Sequence, residues 1–450
     1  MPQFYTTKIS NFKGIEYFKK LKYLHYTNSK YLEELNVSQN TELTRLECWN
    51  NNLHKLDIYD NKKLKEVWCQ DNQIVGVYIA NDADLTNFYC QNNKIPYLEL
   101  RWSPNLTILD CSHNNQNHLD VSRNKKLTEL NCSYNQLGSW RLDEDGYLNL
   151  GDNKSLKKLD CFENKLESLD ASKNTNLAEL DCHKNNLTSL NLGDNKNLTK
   201  LHCFENKLES LDVSKNTNIK ELWCDKNNLT SLKLGKDTSL TKLRCYDNKL
   251  TSLDASKNTN LAELDCHNNN LESLNLGEDT SLTKLQCAGN KLASLDVSGN
   301  TNLTELGCND NKLESLDVSN NTNLTAFVCD NNKLTSLKLG NNTNLNVLGC
   351  GNNKLTSLDV SGCTGLNVLN CTDNNNLESL NLGGITKLVY LECKNNKLKN
   401  LDVSKNTELT ELHCNNNNLT SLDLGNNTFC LLYTSPSPRD RTRSRMPSSA

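Results

Sequence analysis

What this sequence has little of narrows its class before any motif is found. Its hydrophobic content of 36% and mean hydropathy of -0.67 are low for 450 residues, so one large spherical core is excluded. No apolar run approaches the ~20 residues that span a bilayer, and membrane insertion is not expected. The opening stretch from Met1 to Phe18 lacks the basic-then-apolar pattern of a secretory signal. Positive charge is not in excess: 50 Lys and Arg stand against 54 Asp and Glu, a net charge of -4 that implies no nucleic-acid partner. Helical periodicity is missing too. No stretch repeats its apolar residues every 3.6 positions over a helix length, so few or no α-helices are expected.

What the chain does have is cysteine and asparagine at a fixed step. Cys48, Cys69, Cys90, Cys111 and Cys132 are 21 residues apart. The same step carries Cys161, Cys182, Cys203, Cys224, Cys245, Cys266, Cys287, Cys308, Cys329, Cys350 and Cys371; Cys393 follows after 22 residues and Cys414 after 21. These are eighteen of the twenty cysteines, and each is followed three residues later by asparagine. The unit reads L-x-x-L-x-C-x-x-N-x-L-x-x-L, with Asp or Asn next. One such unit cannot bury its leucines, but stacked neighbours make a continuous core. With a first degenerate unit that has Tyr26 at the cysteine position, nineteen turns are predicted, a rod of roughly 90 Å at ~4.8 Å per turn.

The two ladders have separate physical reasons. After each strand the chain turns inward and leaves buried backbone groups, which an asparagine amide can bridge because it both donates and accepts. Cysteine is smaller than leucine and readily buried, so a column of it lets the turns pack closely along one edge. Adjacent ladder cysteines would have Cα atoms at strand spacing but parallel Cβ vectors, which disfavours disulfides. Single stacked thiolates do not converge on a tetrahedral ion, so neither metal nor another cofactor is expected. The ladder is read as reduced and structural.

This pattern resembles the leucine-rich repeat, with cysteine at its third apolar position. The 21-residue unit with a cysteine ladder is similar to the repeats of internalin-type bacterial surface proteins, and the resemblance covers Leu21 to Thr428. It implies a β-rich right-handed solenoid and a non-enzymatic, adhesin-like recognition module, secreted or displayed on a bacterial cell surface. The implied partner is a protein or a glycan bound on the concave face. An alternative is the recognition domain of a secreted effector whose enzymatic domain lies beyond the end of this chain. The expected organisation is an N-terminal flank at 1–20, the solenoid at 21–428 and a distinct tail at 429–450.

Three departures mark the repeat. Between Cys132 and Cys161 the step is 29, and Asp145-Gly146 between alternating apolar residues predicts a small hairpin at about 140–150. The residue three before each cysteine alternates Lys158, Glu179, Lys200, Glu221, Lys242, Glu263, Lys284, Glu305, which should set opposite charges across adjacent strands. In the tail, Cys430 to Asp440 and Ser444 to Ala450 match in-frame translations of the two parts of a transposase sequencing adapter. The tail is therefore expected to be non-native and disordered, and the repeat array to be cut within a turn. Cys363 occupies a turn position usually held by Asn or Asp, and is expected to be the accessible thiol.

Binding residues are sought among the positions flanking each ladder cysteine, which alternation should turn outward. They are Trp49, Trp68 and Tyr89 near the start, then Phe162, His183, His202, Phe204, Trp223, Arg244, Tyr246 and His267. Large exposed aromatics on a rigid surface are typical recognition anchors, and these cluster in particular turns. Phe204, Trp223 and Tyr246, with His202 and Arg244, are expected to form one amphipathic patch. No catalytic constellation is found: the three histidines have no nucleophile beside them, and Asp160, Asp181 and Asp265 read as a solvated repeat column.

Overall fold

The computed structural model describes residues 8–138, 148–236, 239–425, 427 and 431–433. Each repeat places a three-residue strand just before its cysteine, and successive strands pair in parallel with leucine on leucine. Leu159 faces Leu180, Leu180 faces Leu201 and Leu201 faces Leu222. The turns fall into two compact units, Met1–Ser239 and Leu240–Ala450. The result in each unit is a parallel β-solenoid, without α-helices among the described residues. The only helical element among them is the 3-10 turn Ile15–Tyr17. In the first unit, the main ladder runs from Tyr23–His25 to Glu221–Trp223; in the second, from Lys242–Arg244 to Leu431–Tyr433.

The strands are short because a residue two positions past each cysteine turns the chain out of extended geometry. Asn50, Glu163, Lys184 and Tyr134, among others, have φ between 50° and 53° there. A non-glycine residue in this region costs roughly 1–2 kcal/mol, so something must hold it. The ladder asparagine does. Asn185 Nδ2 donates to the carbonyls of Cys161 (3.0 Å) and Cys182 (3.1 Å), while its Oδ1 accepts from Leu166 N at 3.0 Å. Asn206 repeats the pattern one turn on, with Cys182 O, Cys203 O and Leu187 N. Each amide thereby ties two turns together through groups that burial would otherwise leave unpaired. The ladder cysteines are buried and unbridged, as expected.

A second, shorter asparagine column lines the return side, where Asn174, Asn195 and Asn216 donate to the carbonyls of Asn153, Asn174 and Asn195. Cys363 stands in this column, and here the expectation of an accessible thiol is corrected. Cys363 is fully buried, its N–H donates to Val360 O at 2.9 Å, and its carbonyl accepts from Leu366 N at 3.0 Å. Burial pushes its thiol up to about 11. The column is a shielded seam rather than a solvated turn, and a thiol fits it because cysteine buries readily.

Return segments pair in twos rather than continuously. Ser168–Asp170 pairs with Ser189–Asn191 and Ser210–Asp212 with Ser231–Lys233; in the second unit Ser252–Asp254 pairs with Ser273–Asn275. In these three pairs the second member is followed, two residues on, by a glycine at positive φ: Gly193, Gly235 and Gly277. Gly193, at φ 55°, lies so close to Ser172 that a Cβ would meet it at 2.9 Å. The alternation of "LDAS" with "LNLG" in the sequence is this pairing.

The alternating charges are in register, Lys158 opposite Glu179 and Lys242 opposite Glu263. Lys242–Glu263 and Lys284–Glu305 close at 3.2 and 2.8 Å, but Lys158 turns to Asp160 at 3.1 Å. Glu163–Lys184 and Glu205–Lys226 form a further set at the left-handed positions. The hairpin expected at 140–150 lies, up to residue 147, outside the described residues. Leu148–Asn149 rejoins the repeat by pairing in parallel with Leu119–Asp120. Within the tail, most of which is also outside the described residues, Leu431–Tyr433 pairs with Glu411–His413. Those three residues are therefore an ordered strand, where the sequence led to an expectation of disorder. The preceding turn presents an unpaired strand edge, which an apolar triplet can occupy whatever its origin.

One core position breaks the apolar pattern. Gln116 replaces the leucine five residues after Cys111, is fully buried, and has no hydrogen-bond partner for either side-chain polar atom. Each unpaired buried group costs about 1–3 kcal/mol. Gln116→Leu should raise stability by at least about 1 kcal/mol, read as a higher melting temperature by circular dichroism. An unchanged or lower melting temperature would count against this account of the site.

Candidate recognition surface

The side chains on either side of each cysteine leave the main ladder on its outer face, but they do not stand free in solvent. They lie against their neighbours one turn away, because strand spacing is close to ring-stacking distance. In the first unit, Phe162 stacks on His183 (centroids 4.5 Å, 11°) and His183 on Phe204 (4.3 Å, 9°). The row continues backwards through Tyr134, edge-on to Phe162 at 5.3 Å, to His113, stacked on Tyr134 at 4.0 Å. Beside it His202 stacks on Trp223 at 4.0 Å and 9°, and Trp223 lies 6.1 Å from Phe204.

His202 was expected to face outward; it is instead buried, at 6% exposure. Its Nδ1 lies 3.5 Å from Asp181 and its Nε2 3.4 Å from Glu221. It therefore supports Trp223 rather than offering a contact of its own. His183 is held similarly, with Nδ1 2.5 Å from Asp181 Oδ1. The aspartate column is half-buried, not solvated as the sequence suggested. Burial pushes the Asp160 carboxyl up in spite of Lys158. For Asp181 burial acts in the same direction, but hydrogen bonds from His183 and His202 outweigh it and hold the carboxyl well below the usual range. A charged acceptor thus fixes both imidazoles, and the imidazoles fix the rings.

Three other expected anchors lie nearer the start of the first unit. Trp68 and Tyr89 lie 4.2 Å apart at 32°, with the Arg45 guanidinium 5.8 Å from the indole, and Trp49 is half-buried. In the second unit Tyr246 stacks on His267 at 4.5 Å, His267 Nδ1 is 2.5 Å from Asp265, and Arg244 is exposed. His113 and Tyr134 were missed because they sit two residues past a cysteine, at φ 51° and 52°. Scanning that third column for aromatics would have found them.

Stacked parallel turns with buried cysteine and asparagine ladders, and an outer face carrying side chains in rows, define a leucine-rich-repeat interaction module. The chain belongs to the cysteine-ladder leucine-rich-repeat proteins of the internalin type. It is 31% identical to the functional domain of InlJ from Listeria monocytogenes, whose structure includes a cysteine ladder, over 78% of this chain and 71% of that one, with a TM-score of 0.57. YopM from Yersinia enterocolitica shares the fold at 24% identity and a TM-score of 0.64, over 93% and 92% of the two chains. The Arabidopsis receptor kinase HAESA, solved with a peptide hormone and a co-receptor, does so at 17% and 0.52, over 89% and 79%. No family model matches the chain, and no curated protein does.

Proposed function

We propose that this chain is a non-catalytic recognition module of a secreted or surface-displayed bacterial adhesin-like protein, binding a protein or glycan through the outer face of its main ladder. The observation that carries the reading is the continuous row Phe162–His183–Phe204 with Trp223 beside it. Stacked rings are already ordered, so little side-chain entropy is lost when a ligand covers them. Their half-exposed edges combine apolar area with polar neighbours, the composition of an interface centre. Family membership supports the same reading, as does the HAESA complex, in which a repeat array of this fold is solved with a peptide ligand.

The test is a binding screen of the chain against a glycan array and a panel of extracellular proteins, repeated with Phe204→Ser and Trp223→Ser. Each substitution should weaken the ligand found by about 2 kcal/mol or more, roughly thirtyfold. Binding that survives both changes, with folding confirmed by circular dichroism, would move the site off this row.

A further inference from the structure

On the return side of the first unit the repeat departs from itself in a way the main-ladder reading does not use. Where other turns read Ser-Leu-Asn-Leu-Gly-Asp, as at Ser189 to Asp194, this one reads Tyr97-Leu98-Glu99-Leu100-Arg101-Trp102. The turn before it pairs backwards, Gly76–Ile79 with Lys55–Ile58, and the turn after pairs forwards, Leu119–Asp120 with Leu148–Asn149. The segment Tyr97–Leu100 is paired with neither, and a cleft of about 450 Å³ opens between it and the turn of His118, Asp120 and Arg123.

We propose that this cleft is a second binding site, for a pyranose sugar bearing a carboxylate. Trp102 and Tyr97 are each about half exposed (48% and 49%), unusual for rings on a side whose equivalent positions are serine and aspartate. The Tyr97 ring lies near-parallel to His118, 16° and 6.3 Å apart, and both rings line the cleft. Aromatic faces of this kind pack against the C–H face of a pyranose. Polar groups around the rings are divided in use. Glu99 is satisfied, its Oε2 accepting from Tyr97 Oη at 2.9 Å and its Oε1 from Arg101 Nε at 2.8 Å. Asp120 accepts from Ser122 N at 2.8 Å and keeps acceptor capacity for sugar hydroxyls. Arg123 lines the same cleft and makes no ion pair among the described residues. A guanidinium in that position matches a planar carboxylate with two parallel hydrogen bonds, and this is what selects an acidic sugar over a neutral one.

The site uses none of the residues of the stacked row, so the two readings fail separately. The full chain is titrated with methyl glucuronide, N-acetylneuraminic acid and methyl galactoside, following tryptophan fluorescence and saturation-transfer NMR. At least one acidic sugar should bind saturably, at about millimolar affinity, and the neutral sugar about tenfold more weakly. Trp102→Ala and Arg123→Gln should each weaken the acidic sugar about tenfold, whereas Phe204→Ser should leave it unchanged. Equal binding of acidic and neutral sugars, no saturation by either acid, or full affinity in Arg123→Gln would overturn the proposal.

Discussion

Raising the pH from 8 to about 10.5 should unfold the repeats, with thiolate absorbance at 240 nm appearing together with the loss of β-sheet circular dichroism. Burial pushes the thiols of Cys48 and Cys287 up to about 12, and those of Cys69, Cys182 and Cys329 well above their ordinary value, with neighbouring ladder cysteines adding to the shift for the last three. In the unfolded chain a thiol titrates near 8.5. The folded state therefore keeps its protons where the unfolded state releases them. The stabilisation is fully present below about pH 8.5 and is lost as pH rises towards the folded values. Each thiol contributes a slope of about 1.4 kcal/mol per pH unit, so five in one cooperative stretch remove about 7 kcal/mol over a single unit. That is comparable to the whole stability of an ordinary domain, about 5–15 kcal/mol. Thiolates forming near pH 8.5 with the sheet intact would sink this prediction.

Asn185→Ala should be among the most damaging single changes in the first unit. It leaves the buried Leu166 N without its acceptor and takes one of two asparagine donors from each of Cys161 O and Cys182 O, which keep Asn164 and Asn206, while removing little apolar area. At about 1–3 kcal/mol for the orphaned amide and about 0.5–1.5 kcal/mol for each of the two other lost bonds, the total is roughly 2–6 kcal/mol. Because each turn contacts only its neighbours, the loss should appear as local opening. Hydrogen exchange should quicken at the amides of Leu166, Cys182 and Cys203 before those near Leu46. Asn176 is the control: it is exposed and donates a single bond to Lys154 O at 2.8 Å, so Asn176→Ala should cost less than about 0.5 kcal/mol. Similar costs for the two substitutions would mean that the ladder amide is not what closes the turns.

Much of this was legible from spacing. The cysteine step set the repeat, and parallel Cβ vectors along stacked strands argued for free thiols. The asparagine three residues on was readable as a bridge because a turn entering a core must satisfy its backbone groups. Lys and Glu alternation gave the register of Lys158 on Glu179 and Lys242 on Glu263. Burial at the outer columns was not legible. Alternation says which way a side chain leaves the strand, but not that a neighbour one turn away will cover it. His202 points outward by pattern and is buried by Trp223. Cys363 sits in a turn by pattern and is sealed within the second asparagine seam.

By itself, then, the sequence determined the class of fold, the repeat boundaries, the redox state of the ladder and the face on which recognition should be sought. These follow from local periodicity, which each turn repeats. Tertiary structure alone decided which side chains remain available on that face, why Asp181 stays charged between two imidazoles, and where the return side opens beside Tyr97. Those depend on contacts between residues about 20 positions apart, whose distances are set by stacking and not by any single turn.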